Sequence, residues 1–162
     1  MGDDMPNVFN VAEIIDMGIE KERKRRDFYG LVAKTFKDKE MADLFAKLKS
    51  WEETHIQKFT EIRNSVQESE TTQSYEGEFE AYMKATVDDM LYGQVSAKEF
   101  SKNVKTQAIA IQYGMGFEKD AIVFFGELLK YMAAPHQEKV QELINEEKKH
   151  LIYLAELKRK YT

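Results

Sequence analysis

Apolar residues recur along most of this chain at steps of three and four, the period of helices with one buried face. Over residues 10–36 the inward stripe reads Ile15, Ile19, Glu22, Tyr29, Ala33 and Phe36. Over 39–64 it reads Met41, Leu44 or Phe45, Leu48, Glu52, His55, Phe59 and Ile62. Residues 104–132 present Ile111, Met115, Glu118, Ile122, Phe125 and Leu129, and 136–160 present Val140, Leu143 or Ile144, Glu147, His150, Leu151, Leu154 and Leu157. Start signals agree: Asn10 with Glu13 forms a capping box, Asp38 caps the second helix, and Pro135 suits a first turn. Helices near this length run about 37 Å, and the tight Lys37-Asp38 turn makes the first two antiparallel. From 65 to 103 the period breaks. Gln67 to Ser74 is polar, Phe79 to Leu91 reads as a shorter helix ended by Gly93, and Ser96 to Glu99 is another capping box. The expected fold is all-α, a four-helix bundle with a long crossover between helices 2 and 3, as one domain over 1–162.

Each of the four stripes carries charged or polar residues where apolar ones belong. Glu52 and His55, and again Glu147 and His150, form Glu-x-x-His pairs. Residues three apart on a helix share a face about 5–6 Å apart at Cβ, so each pair can offer an oxygen and a nitrogen to one metal ion. Thirty residues before Glu52 stands Glu22, and twenty-nine before Glu147 stands Glu118. Seven after these come Tyr29 and Phe125, and four before them come Gly18 and Gly114. The chain is thus two copies of one helix pair. Four glutamates and two histidines from four helices are the inward set that builds a two-metal carboxylate site in a bundle.

Composition narrows the chemistry. The net charge of −5 argues against nucleic acid as a partner. No apolar run approaches the roughly 20 residues of a membrane helix, and no signal-peptide pattern precedes the first helix, so a cytosolic protein is expected, with no membrane partner. There are no cysteines, hence no disulfides and no thiolate iron centre. Electrons for any redox reaction must come from a separate molecule. Two divalent ions would balance four buried carboxylates that are otherwise costly to hold. Oxygen-rich ligation with two nitrogens suits iron or manganese, while zinc would be redox-inert.

Glu22-Arg23-Lys24 through Asp27-Phe28-Tyr29, and Glu118-Lys119-Asp120-Ala121-Ile122 leading to Phe124-Phe125, resemble the first- and third-helix patterns of rubrerythrin-type, rubredoxin-less members of the ferritin-like di-iron carboxylate superfamily. The resemblance covers roughly residues 10 to 160. It implies two iron ions held by Glu22, Glu52, His55, Glu118, Glu147 and His150, with Glu52 and Glu118 bridging or shifting. It also implies reduction of peroxide or dioxygen with electrons from an external electron-transfer protein, with Glu22, Glu52, Glu118, Glu147 and Tyr29 taking part, in a homodimer that defends against oxidative stress. The rivals are iron oxidation or storage, oxidation of an organic substrate, and a metal-free helical module whose carboxylates pair with Arg and Lys.

Five positions carry further expectations. Tyr29 can donate to a ligand carboxylate, whereas Phe125 can only pack. His136 is placed on the surface. Arg26, one turn past Glu22, points inward, to pair with a carboxylate or reach the bundle end. Ala121 stands where rubrerythrins often carry an extra glutamate, which sets this chain apart from a ligand-switching cycle. Phe79, Tyr82, Met83 and Leu91 are expected to be exposed apolar residues that suit a dimer.

Overall fold

The computed structural model describes residues 11–66, 81–83, 85, 86, 99 and 102–162. Four long helices account for most of them: α1 Val11–Thr35, α2 Lys39–Ser65, α3 Gln107–Leu129 and α4 Ala134–Lys158. Asp38 caps α2, its carboxylate accepting from the Met41 amide at 3.1 Å. Thr106 does the same for α3 through the Ile109 amide at 3.3 Å, so that helix opens three residues later than its apolar pattern suggests. Pro135 lies in the first turn of α4, where its missing N–H costs nothing. The Asn10 cap, and the loop, Gly93 stop and most of the Ser96 capping box expected in the connector, lie outside the described residues, as do Phe79 and Leu91.

Pairings between helices set the topology. Asp16 bonds Arg63 and Gly30 lies against Lys49, so α1 and α2 run antiparallel. Gly18 meets Phe124 while Arg25 reaches the Phe117 carbonyl, so α1 and α3 are antiparallel too. Trp51 stacks on His150 and Ser65 contacts His136, which opposes α2 and α4. Consequently α2 and α3 point the same way, and Val66 and Thr106 stand at opposite ends of the bundle. The join between them is a long crossover, which completes the expected all-α architecture.

The buried stripes follow a heptad. In α1 the stripe runs through Val11, Ile15, Gly18, Glu22, Arg25, Tyr29 and Val32, at alternating steps of four and three, with Ile14, Ile19 and Phe28 buried beside it. In α3 they include Ile111, Gly114, Glu118, Ala121, Phe125 and Leu128. Ala33, Phe36, Met115, Ile122, Leu129 and Leu151, expected inside, are only half-buried. The two glycines are close-approach sites. A Cβ on Gly18 would lie 2.9 Å from the Phe124 ring and 3.0 Å from that of Phe125. One on Gly114 would lie 3.2 Å from Leu154 and 3.4 Å from Tyr29.

Two surface expectations are corrected. His136 is buried, because the start of α4 packs against the end of α2, where its Nε2 lies 2.9 Å from the Ser65 hydroxyl. Met83 is fully buried, since the connector lays this residue on the core, whereas Tyr82 beside it is exposed. Among the described residues no helix is long and apolar enough to cross a membrane.

Candidate metal centre

The heptad that buries apolar residues along α1–α4 also buries the polar ones, and it does so at one level of the bundle. Glu22, Glu52, His55, Glu118, Glu147 and His150 are all buried there. Donor atoms of Glu52, His55, Glu147 and His150 lie within 4.8 Å of one another. Glu22 and Glu118 flank these four from α1 and α3. Tyr29 donates its hydroxyl to Glu118 Oε1 at 2.5 Å.

A cation occupies the middle of the cluster, and it is Arg25. The inward placement of Arg26 is corrected: its guanidinium is half-exposed and pairs with Asp27 at 3.0 Å. Positions 25 and 26 both lie one turn beyond Glu22, but the four–three alternation through 18, 22, 25 and 29 selects 25. Arg25 is fully buried. Its Nη2 donates to Glu22, to Glu52 Oε2 at 2.7 Å and to Glu147 Oε1 at 2.6 Å. Its Nη1 donates to the Phe117 carbonyl at 3.3 Å and lies 3.9 Å from Glu118 Oε2.

Glu52 and Glu147 each present their two oxygens to different sides. On one side, Glu52 Oε2 and Glu147 Oε1 face Arg25 and His55, whose Nδ1 is 3.1 Å from Glu147 Oε1. On the other, Glu52 Oε1 and Glu147 Oε2 face His150 Nδ1 at 3.4 and 3.0 Å. Glu52 and Glu147 hold the central position, and Glu118 Oε1 stands 3.7 Å from the same His150 nitrogen. The far nitrogen of His55 meets Glu146 at 2.7 Å, and Lys58 bonds the same carboxylate at 3.2 Å. Trp51 lies flat on the His150 ring, 4.9 Å between centroids and 8° between planes.

Protonation follows from burial and from sharing one guanidinium. Burial pushes the Glu22 carboxyl well above the usual range despite Arg25. Burial, reinforced by the Glu147 charge, raises Glu118 to about 8. Burial also opposes charge on Glu52 and Glu147, but Arg25 and the imidazoles hold both below the ordinary range. One cation cannot sustain three anions, and the two with imidazole neighbours are the ones that stay charged. Burial works against charge on the imidazoles as well, yet Glu147 and Glu52 lift His55 to about 11. Hydrogen bonding to Glu118, Glu147 and Glu52 lifts His150 to about 12. Burial, then the Glu118 charge, raises the Tyr29 phenol well above its normal value, so Tyr29 acts as a donor.

A crystal structure from Thermotoga maritima, of a proposed ferritin-like diiron-carboxylate protein, matches this chain with a TM-score of 0.75. The match covers 95% of this chain and 97% of that one, at 22% sequence identity. The fold is ferritin-like. No protein-family model matches the sequence, nor does any curated protein. At that identity the likeness fixes the path of the backbone, and the chemistry of the ferritin-like bundle has to be read from its own side chains.

Those side chains suit a metal on one side. Apart from His150 Nδ1 at 3.4 and 3.0 Å, Glu52 Oε1 and Glu147 Oε2 are buried with no hydrogen-bond partner among the described residues, and Glu118 Oε2 is buried with Arg25 no nearer than 3.9 Å. Such atoms are costly unless something binds them. Ligands at right angles around an ion, each about 2.0–2.2 Å from it, lie about 3 Å apart, as His150 Nδ1 does from Glu147 Oε2. On the other side, the oxygens that would receive a second ion are held by Arg25.

Sequence reasoning passed over Arg25, Glu146 and Trp51. Arg25 carried a signal, the heptad position between Glu22 and Tyr29. Glu146 and Trp51 carried none, because each acts on a histidine of another helix. Both line a cavity of about 270 Å³ between α2 and α4, along with Thr54, His55, Lys58, Lys149, His150 and Tyr153. A larger cleft, about 610 Å³, lies beside it toward Glu40 and Lys160 and shares Trp51 and Tyr153.

Proposed function

We propose that this protein is an iron-dependent oxidoreductase of the rubrerythrin kind, reducing peroxide or dioxygen with electrons from a separate donor protein. The observation that carries this reading is the set of buried carboxylate and imidazole donors from α2 and α4 converging within 4.8 Å, with buried Glu22 and Glu118 beside them from α1 and α3. Iron held there would supply one-electron cycling between its +2 and +3 states, with manganese a workable and zinc a redox-inert substitute. Reduction of peroxide to two molecules of water consumes two electrons and two protons. The electrons come from the donor protein, since the chain has no cysteine to hold a relay centre of its own.

The protein's own residues bind, orient and admit. Glu52, Glu118, Glu147 and His150 offer donor atoms, and Tyr29 fixes Glu118 by its hydroxyl. Glu146 orients the His55 ring, as a carboxylate behind an imidazole does. The cavity above His55 and His150 is large enough for peroxide or dioxygen to reach the imidazoles. Exposed Tyr82, Val123 and Ile152 leave apolar surface that suits a homodimer. Native mass tests this, and a hollow shell of many subunits would favour iron storage instead. The Arg25 network supports a second reading, a metal-free bundle in which a guanidinium neutralises the carboxylates.

The deciding experiment is metal analysis and an optical spectrum of protein from iron-supplemented cells, followed by peroxide addition. Co-purified iron whose spectrum changes with peroxide is the expected result. A protein that takes up no iron, and whose stability ignores Fe²⁺, is the metal-free bundle.

A further inference from the structure

The two helix pairs repeat each other around the centre, and one inward difference changes the charge there. Three residues past Glu22 stands Arg25; three past Glu118 stands Ala121. Both are buried. The alanine leaves the His150 side to Glu118 and the two central carboxylates. The arginine puts its Nη2 against Glu22, Glu52 Oε2 and Glu147 Oε1, the oxygens that the repeat directs to a second ion.

We propose that this centre takes one metal ion, on the His150 side, and that the Arg25 guanidinium is a built-in cation in the place of the second. The proposal rests on the reading that the centre binds metal, and it adds how many ions bind and where. The oxygens of the two central carboxylates divide between two sides. The Glu52 and Glu147 oxygens that Arg25 touches belong to one side, and Glu52 Oε1, Glu147 Oε2 and His150 Nδ1 belong to the other, while Glu118 turns Oε1 toward His150 at 3.7 Å and Oε2 toward Arg25 at 3.9 Å. A second dication would need Glu52 Oε2 and Glu147 Oε1, and the Arg25 Nη2 already holds both at 2.7 and 2.6 Å. Guanidinium cannot give up its proton to make room. Nor can Arg25 readily swing aside, because it is fully buried, bonded to the Phe117 carbonyl, in an interior packed as densely as protein cores are. His55, held between Glu146 and Glu147, belongs to the Arg25 side and orients Glu147 rather than the ion.

The test is anaerobic loading of the full-length protein with Fe²⁺, and in parallel with Mn²⁺, followed by metal counting. Electron paramagnetic resonance of the Mn²⁺ form reads isolated against exchange-coupled ions. The expected wild-type result is one ion per chain with the spectrum of an isolated ion, rising to two coupled ions in Arg25→Met. His150→Ala should lose the ion and His55→Ala should keep it; these also locate the ion if Arg25→Met does not fold. Two ions in the wild type overturn the proposal while leaving the metal-binding reading intact. One ion in both wild type and a folded Arg25→Met overturns the role of Arg25, and loss of the ion in His55→Ala but not His150→Ala overturns its placement. No uptake of either metal overturns the functional reading itself.

Discussion

The α1–α2 and α3–α4 pairs use the same register to opposite effect. Each brings a glutamate, a close-packing glycine and a Glu-x-x-His to one level of the bundle. In the first pair the residues that follow the glutamate are Arg25 and Tyr29; in the second they are Ala121 and Phe125. Glu22 therefore bonds a permanent cation from its own helix, while Glu118 accepts from a neutral phenol across the bundle and stands 3.9 Å from the guanidinium. A repeated ligand pattern does not guarantee a symmetric centre. The residues between the ligands decide what each half can hold.

The largest effect expected from breaking this asymmetry is that of Arg25→Met. Without metal, three buried carboxylates would lose their shared cation, and stability should fall by about 3–5 kcal/mol, the usual result of removing one partner of a buried ion pair. Urea denaturation in chelator measures it, and added Mn²⁺ should restore much of the loss. Unchanged stability would mean that the guanidinium does not hold this cluster together.

Next come the two flanking glutamates. Glu118→Ala should weaken metal binding by more than the 10–100-fold typical of an outer partner, whereas Glu22→Ala should leave the ion bound. Equal losses in a metal titration would restore symmetry. The same titration should show affinity rising with pH, since an ion must displace protons from Glu118, raised to about 8, and His150, raised to about 12. Stability of the metal-free bundle should move the other way. The raised Glu118 contributes fully below its unfolded value near 4.5 and loses that contribution as pH rises through about 8. His55 and His150 contribute fully below 6.5 and lose theirs as pH climbs toward 11 and 12. Denaturation in chelator from about pH 6 to pH 9 should thus show falling stability, and a flat profile would contradict these shifts.

The glycines offer a smaller contrast. Gly18→Ala drives a methyl against the Phe124 and Phe125 rings, the second of which is itself stacked on Phe59 at 4.1 Å, and should cost about 1–3 kcal/mol. Gly114→Ala meets mainly the flexible end of Leu154 and should cost less, which thermal denaturation of the pair will show. The smallest effect expected is for Tyr29→Phe, about 1 kcal/mol in metal-free stability from one lost hydrogen bond. It makes position 29 match Phe125, and a metal titration should show Glu118 holding its ion less tightly.

Much of this molecule follows from local pattern. Helix periodicity, the Asp38 and Pro135 starts and the repeated Glu-x-x-His are properties of short stretches, and they determined four helices, their buried faces and the six polar residues that share one level. The crossover also followed from chain length alone, because a connector from 65 to 103 is too long to be a turn. Other features depended on neighbours distant in sequence. His136 looked like a surface residue until Ser65 was beside it, and the choice of Arg25 over Arg26 is a matter of some tens of degrees of helix rotation that only the packing of α1 against α2 and α3 sets. Glu146 and Trp51 acquired their roles from histidines on the opposite helix. The sequence by itself determined that four glutamates and two histidines would share one level of the bundle. Only the tertiary structure decided which oxygens face an arginine and which are left for a metal, because that depends on the rotation and spacing of four helices at once.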